Sequence, residues 1–136
     1  MIGLIVGPKG TGKTKALIGM IGEAVKETKG SVVCIEKGLK LTYDINYSVR
    51  LVDIEHYDIE GFPALYGFVA GIMAGNYDIT NIFVDATLKI GGKDLNEFAE
   101  MVKKLGELMK EHEVKIVFTV SCDKSEIPES ISEFIL

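Results

Sequence analysis

The sequence predicts an α/β fold: a three-layer arrangement with a mostly parallel sheet of about five strands and helices on both faces. Three observations carry this. Short β-branched runs alternate along the chain with stretches of helical periodicity, the pattern of successive strand–helix units. The strand-like runs lack in–out alternation, as strands covered on both faces require. A glycine-rich turn, Gly7–Thr14, joins the first apolar run to the first helical one. Right-handed crossovers then put helices on both sides of the sheet. With 136 residues, the chain makes one domain spanning 1–136.

Met1 to Val6 reads as a short buried strand. A helix is expected from Lys13 to about Lys29, closed by Gly30 as a C-cap residue. Its apolar residues, among them Leu17, Ile21 and Val25, cover more than half the circumference, so it is expected to be largely buried. Ser31–Ile35 is a second strand ending at Glu36-Lys37-Gly38. Residues 39–47 mix Lys, Thr, Tyr, Asp and Asn and read as a loop or irregular edge hairpin. Val49–Ile54 has the composition of an edge strand. Tyr43, Tyr47 and Tyr57 are expected to cover that edge, with base stacking as the alternative.

Pro63 suits the first turn of a helix running to about Gly75. Gly67, Gly71 and Gly75 leave one face of it bare, which points to close packing on the sheet or a neighbouring helix. Asn81–Asp85 is the next strand. Asp94, with Glu97 three residues on, caps an amphipathic helix to about Glu113 with a stripe of Leu95, Phe98, Val102, Leu105 and Met109. Lys115–Ser121 is the last clear strand, and the tail from Pro128 reads as a short helix or docked segment whose Ile131 and Phe134 cover the sheet.

The chemistry concentrates in Gly7-Pro8-Lys9-Gly10-Thr11-Gly12-Lys13-Thr14, which fits the phosphate-binding pattern G-x-x-x-x-G-K-[ST]. It sits between a strand and a helix, as the chemistry needs. Glycines let the backbone approach phosphate oxygens and adopt positive φ, so the amides of about Gly10 to Lys15 can converge on an anion. The following helix adds free N–H donors and the positive end of its dipole. In this reading Gly7 through Lys15 bind nucleotide. Lys13 reaches the β- and γ-phosphates, and the Thr14 hydroxyl takes a place on Mg²⁺. Asp85, closing the apolar strand Ile82-Phe83-Val84, has the form of a Walker B acid that holds Mg²⁺ through its water shell.

Composition excludes several alternatives. A net charge of −5 without a basic stripe argues against non-specific nucleic-acid binding. Cys34 and Cys122 show no C-x-x-C or Cys/His spacing and read as buried, reduced thiols. His56 and His112 are isolated, so no metal site builds on them. The longest apolar run, Phe62–Ala74, is too short to cross a bilayer, and no signal peptide is visible; a cytoplasmic location is the expectation. Fourteen lysines accompany one arginine, Arg50, the single residue this chain offers as an arginine finger.

Over residues 1 to about 121, the chain resembles the P-loop NTPases, in particular their RecA-like and AAA-like branch. The Walker A stretch carries that resemblance, supported by Asp85. Many members of the branch place a Glu directly after the Walker B Asp to polarise water; here Ala86 and Thr87 follow Asp85. RecA-like members place it at the end of the strand after the P-loop helix, which implies Glu36 as the general base. The resemblance likewise implies Thr119 or Ser121 as the sensor near the γ-phosphate. The expected function is Mg-ATP binding with slow or partner-stimulated hydrolysis, the partner being another protein or a second copy of the chain. No N-K-x-D guanine signature occurs. A non-hydrolysing, nucleotide-dependent interaction module is the alternative. A small nucleotide or nucleoside kinase comes third, since such enzymes clamp two sets of phosphates with basic lid residues, and a chain with one Arg offers few.

Overall fold

Five strands, all parallel, form one sheet in the order β1-β5-β4-β2-β3 in a computed structural model that describes all 136 residues. They are β1 (Ile2–Gly7), β2 (Ser31–Glu36), β3 (Arg50–Asp53), β4 (Ile79–Val84) and β5 (Lys115–Ser121). The helices are α1 (Lys13–Glu27), α2 (Phe62–Gly75), α3 (Thr87–Gly91) and α4 (Leu95–Met109). Short 3₁₀ turns follow β3 and β5 and complete the tail. The fold class expected from the sequence is the one observed, down to the edge position of β3.

The two faces of the sheet carry unequal cover. On one side α2, α3 and α4 pack with strand residues into a cluster of 26 buried side chains, centred on Phe62, Phe98 and Phe118. On the other, α1 lies alone against the strands and shares a cluster of 8 with Leu41 and Val49 from the loop between β2 and β3. Only Leu17 and Ile21 of α1 are buried, which corrects the expectation of a largely buried helix. No second helix flanks it, so Ile18, Met20, Ala24 and Val25 meet the core with one edge only.

Local chemistry sets the element ends. Asp94 caps α4 by accepting from the amides of Asn96 and Glu97, at 2.9 and 3.2 Å, as its position before an apolar stripe predicts. That helix stops at Met109, short of the expected Glu113. α1 ends at Glu27 with Thr28 as its cap, two residues before Gly30. Gly30 is instead a close-approach position: a Cβ there would collide with the Asp78 carbonyl oxygen, which accepts from Ser31 N–H at 2.6 Å.

Two other expectations change. Gly67, Gly71 and Gly75 face open space rather than a packed neighbour, because the buried side of α2 is the opposite one, Phe62, Leu65, Val69 and Met73. Tyr43 and Tyr47 do not cover the sheet edge; both are fully solvent-exposed on the loop before β3. Tyr57 is half-exposed and packs on Phe68, with ring centroids 5.9 Å apart. At the opposite edge the tail pairs with β1: Leu136 N–H donates to Leu4 C=O at 2.9 Å, and Ile131 is fully buried. No helix is long and apolar enough to cross a membrane.

Candidate functional site

Parallel strands in register bring their carboxyl ends to one rim. Gly7 lies beside Ser121, Val84 beside Phe118 and Ile35, and Glu36 beside Asp53. A cleft of about 810 Å³ opens along this rim, with Gly12, Thr14, Glu36, Asp85, Thr119 and Ser121 in its walls. Most of the sequence-predicted residues therefore gather in one cleft, outside the strand ends where open α/β sheets present a crevice, while Gly7, Pro8 and Thr11 line a second pocket of about 440 Å³ that shares Gly12 and Lys13 with it.

The glycine loop, residues 8–12, is built to lie close to its own backbone. Gly10 and Gly12 hold φ of +80° and +86°, which L side chains rarely adopt. Thr11 donates to the Pro8 carbonyl at 2.7 Å, and the Lys13 ammonium donates to the same oxygen at 2.8 Å. The first intrahelical bond of α1 runs from Ala16 N–H to Gly12 C=O, so the amides of Lys13, Thr14 and Lys15 precede the helical ladder. No acid lies in this first turn. Three lysines (9, 13 and 15) and the positive helix end make the loop an electropositive cradle.

Asp85 stands two strand spacings from the strand that carries the loop, roughly 10 Å, and Thr14 bridges the gap. The Thr14 hydroxyl lies 3.3 Å from both Asp85 carboxylate oxygens. From the intervening strand, the buried Thr119 hydroxyl donates to Asp85 Oδ1 at 2.6 Å and accepts from Ala86 N–H at 2.9 Å. Asp85 N–H donates to Ile35 C=O at 2.9 Å, which pins the residue to β2 as well. Ala86 turns the chain sharply with φ of +54° and ψ of +44°, a left-handed conformation uncommon for a residue with a Cβ. Thr119 thus acts on Asp85; Ser121, the other sensor candidate, is exposed on the rim and makes no side-chain hydrogen bond within the protein.

Glu36 is buried at 2% exposure, and its Oε1 accepts from the amides of Lys40 and Leu41 at 2.9 and 3.2 Å. Burial pushes its carboxyl above the usual glutamate range; those two amides oppose the shift, and Asp85 and Asp53 add to it. The side chain expected as a general base is therefore also the anchor of the loop that covers one end of β2. Cys34, two residues earlier on the same strand face, is buried, and desolvation with the charges of Glu36 and Asp85 pushes its thiol up to about 12. It is a reduced core residue, as expected. Cys122 differs: it is half-buried and lines the cleft. Arg50 is exposed at the amino end of β3, away from the rim.

Sequence reasoning overlooked α3 and the lysines around it. Lys37, Lys40, Lys89 and Lys93 form the wall of the cleft facing the glycine loop. Their signal was positional: each follows the carboxyl end of β2 or β4, where a parallel sheet presents side chains to a ligand. No group of three or more His, Cys, Asp or Glu side chains is arranged to hold a metal ion. No protein-family model matches the chain, and no curated protein matches it.

Proposed function

We propose that this chain is a Mg-ATP-binding P-loop protein of the RecA-like type that hydrolyses ATP slowly, with stimulation by a partner protein or a second copy of itself. The observation that carries the reading is the meeting of Thr14 and Asp85 beside the glycine loop, with Thr119 holding the carboxylate in place. A hydroxyl and a carboxylate suit a hard cation, and Mg²⁺ in nucleotide sites commonly takes one or two protein oxygens and completes its shell with phosphates and water. Thr14 and Asp85 would hold Mg²⁺, which when bound would offset phosphate charge. The chain's own part is positioning: loop amides and Lys13 hold phosphates, and Thr119 orients Asp85.

The Lys13 ammonium spends one of its three hydrogens on the Pro8 carbonyl, which leaves two to offer a phosphate. Calorimetry on Lys13→Ala tests the reading; loss of measurable Mg-ATP binding is expected, and undiminished affinity would overturn it. A second reading, binding without turnover, draws on Glu36. Its carboxylate already serves the amides of Lys40 and Leu41, a structural role that needs no turnover. Steady-state hydrolysis by wild type and Glu36→Gln separates the two. A fall of about 10²-fold or more in the variant supports Glu36 as the base, whereas equal background rates leave the interaction module.

A further inference from the structure

The cleft holds more positive charge than one Mg-nucleotide accounts for. Seven of the fourteen lysines line it: Lys9, Lys13 and Lys15 on the loop side, and Lys37, Lys40, Lys89 and Lys93 opposite. Three carboxylates, Glu36, Asp85 and Glu126, share the lining. In a chain of net charge −5 this pocket carries a surplus of four positive charges. Mg-ATP, with a net charge of about −2, would leave roughly two uncompensated, the charge of one phosphate monoester dianion.

None of these lysines has an internal counterion. The chain contains three salt bridges, involving Lys26, Lys103 and Lys110, and all are i,i+3 pairs on exposed helix surfaces. The far wall is also held in position. Lys37 donates to the Lys89 carbonyl oxygen at 3.0 Å, tying the end of β2 to α3. The Lys40 backbone is fixed by Glu36, and the turn into α3 by the Ala86–Thr119 bond. Unpaired cations on anchored backbone, facing a phosphate cradle across a roomy cleft, form a binding wall for a second anion.

We propose that Lys40, Lys89 and Lys93, with Lys37 bracing them, bind the phosphate dianion of a second, phosphorylated small-molecule ligand while the nucleotide occupies the glycine loop. The proposal rests on the nucleotide reading for the loop but assigns the opposite wall independently. It also supplies what the sequence lacked for a second phosphate clamp, since lysines fill the place expected of arginines.

The test uses inorganic phosphate as probe, followed by ³¹P line broadening in protein saturated with Mg²⁺ and a non-hydrolysable ATP analogue. Saturable binding is expected in wild type. Lys89→Gln/Lys93→Gln should weaken it roughly tenfold or more while changing analogue affinity less than about twofold; the Lys37 bond survives because it uses the Lys89 backbone. Lys103→Gln/Lys104→Gln, on the outer surface of α4, serves as the charge-matched control and should leave both unchanged. No saturable phosphate binding in the loaded protein would overturn the proposal. So would equal loss in the control, or a loss of analogue affinity matching that of phosphate, which would give these lysines to the nucleotide's own phosphates. If wild type fails to bind the analogue at all, the loop reading fails; phosphate binding that persists in Lys13→Ala and vanishes in Lys89→Gln/Lys93→Gln would still uphold the far wall.

Discussion

The two faces of the sheet differ in how much they bury and in what they serve. The α2–α3–α4 face packs 26 buried side chains, including three phenylalanines, Phe62, Phe98 and Phe118, that touch in series with ring centroids 5.6 and 5.9 Å apart. The α1 face packs eight, under one helix and a loop. Yet the thin face carries most of the candidate site: the helix that starts at the glycine loop, and Glu36 with the segment it anchors. Burial supplies stability at roughly 25 cal/mol per Å² of apolar surface, so the thick face holds the fold. The thin face is the part able to adjust when a ligand arrives.

Substitutions on each side test this division, beginning with the largest effect. Phe98→Ala, on the thick face, should cost about 4 kcal/mol in denaturant unfolding and leave the Mg-ATP affinity of the folded protein within about twofold. Leu17→Ala, on the thin face, should cost less, about 2–3 kcal/mol, since its surroundings have room to collapse. It should also weaken Mg-ATP binding several-fold, because Leu17 seats the helix one turn after Thr14. If Leu17→Ala proved the costlier change, or if both variants altered affinity equally, the distinction between the faces would fail.

Glu36 gives a pH signature to the thin face. Its folded-state carboxyl is raised above 4.5, mainly by burial. A raised acid contributes stability below the unfolded value and loses it as pH climbs through the folded one. Melting temperatures of wild type and Glu36→Gln should therefore diverge in favour of glutamine as pH rises above about 4.5. A constant difference across that window would show that burial does not strain the carboxylate. The smallest expected effect lies at Ala86, where glycine would relieve the left-handed backbone; Ala86→Gly should gain about 0.5 kcal/mol, net of the greater freedom of its unfolded chain. A loss would mean that the methyl group contributes contacts outweighing the strain.

Much of this arrangement was legible in the residues. Five strands and the three long helices announced themselves through β-branched runs and 3.6-residue spacing, and the loop, Asp85, Glu36 and Thr119 all reached one rim because parallel strands end on the same side. What stayed hidden depended on tertiary context. Periodicity cannot report that no second helix would flank α1, so its apolar circumference implied burial that only Leu17 and Ile21 attain. The glycine row of α2 marks the outward side because Leu65, Val69 and Met73 take the inward one. The five residues of α3 are too few to show a period, and with them the lysines of the far wall went unread. Hydrogen-bond roles were equally invisible: that Glu36 accepts from the amides of Lys40 and Leu41 depends on how the following loop folds back.

The bonds joining Ala86, Thr119 and Asp85 have a fixed polarity. An amide hydrogen can only be given, so Ala86 N–H makes the Thr119 oxygen a receiver. A hydroxyl owns one hydrogen, and the 2.6 Å contact directs it to Asp85. The sequence of donors thus runs one way, from backbone through side chain to carboxylate, and cannot reverse while the turn at Ala86 keeps its shape. Serine at position 119 would preserve that direction; valine, of similar form, would interrupt it at both ends. Orientation of the carboxylate beside the glycine loop is in this sense written into the backbone of the neighbouring turn.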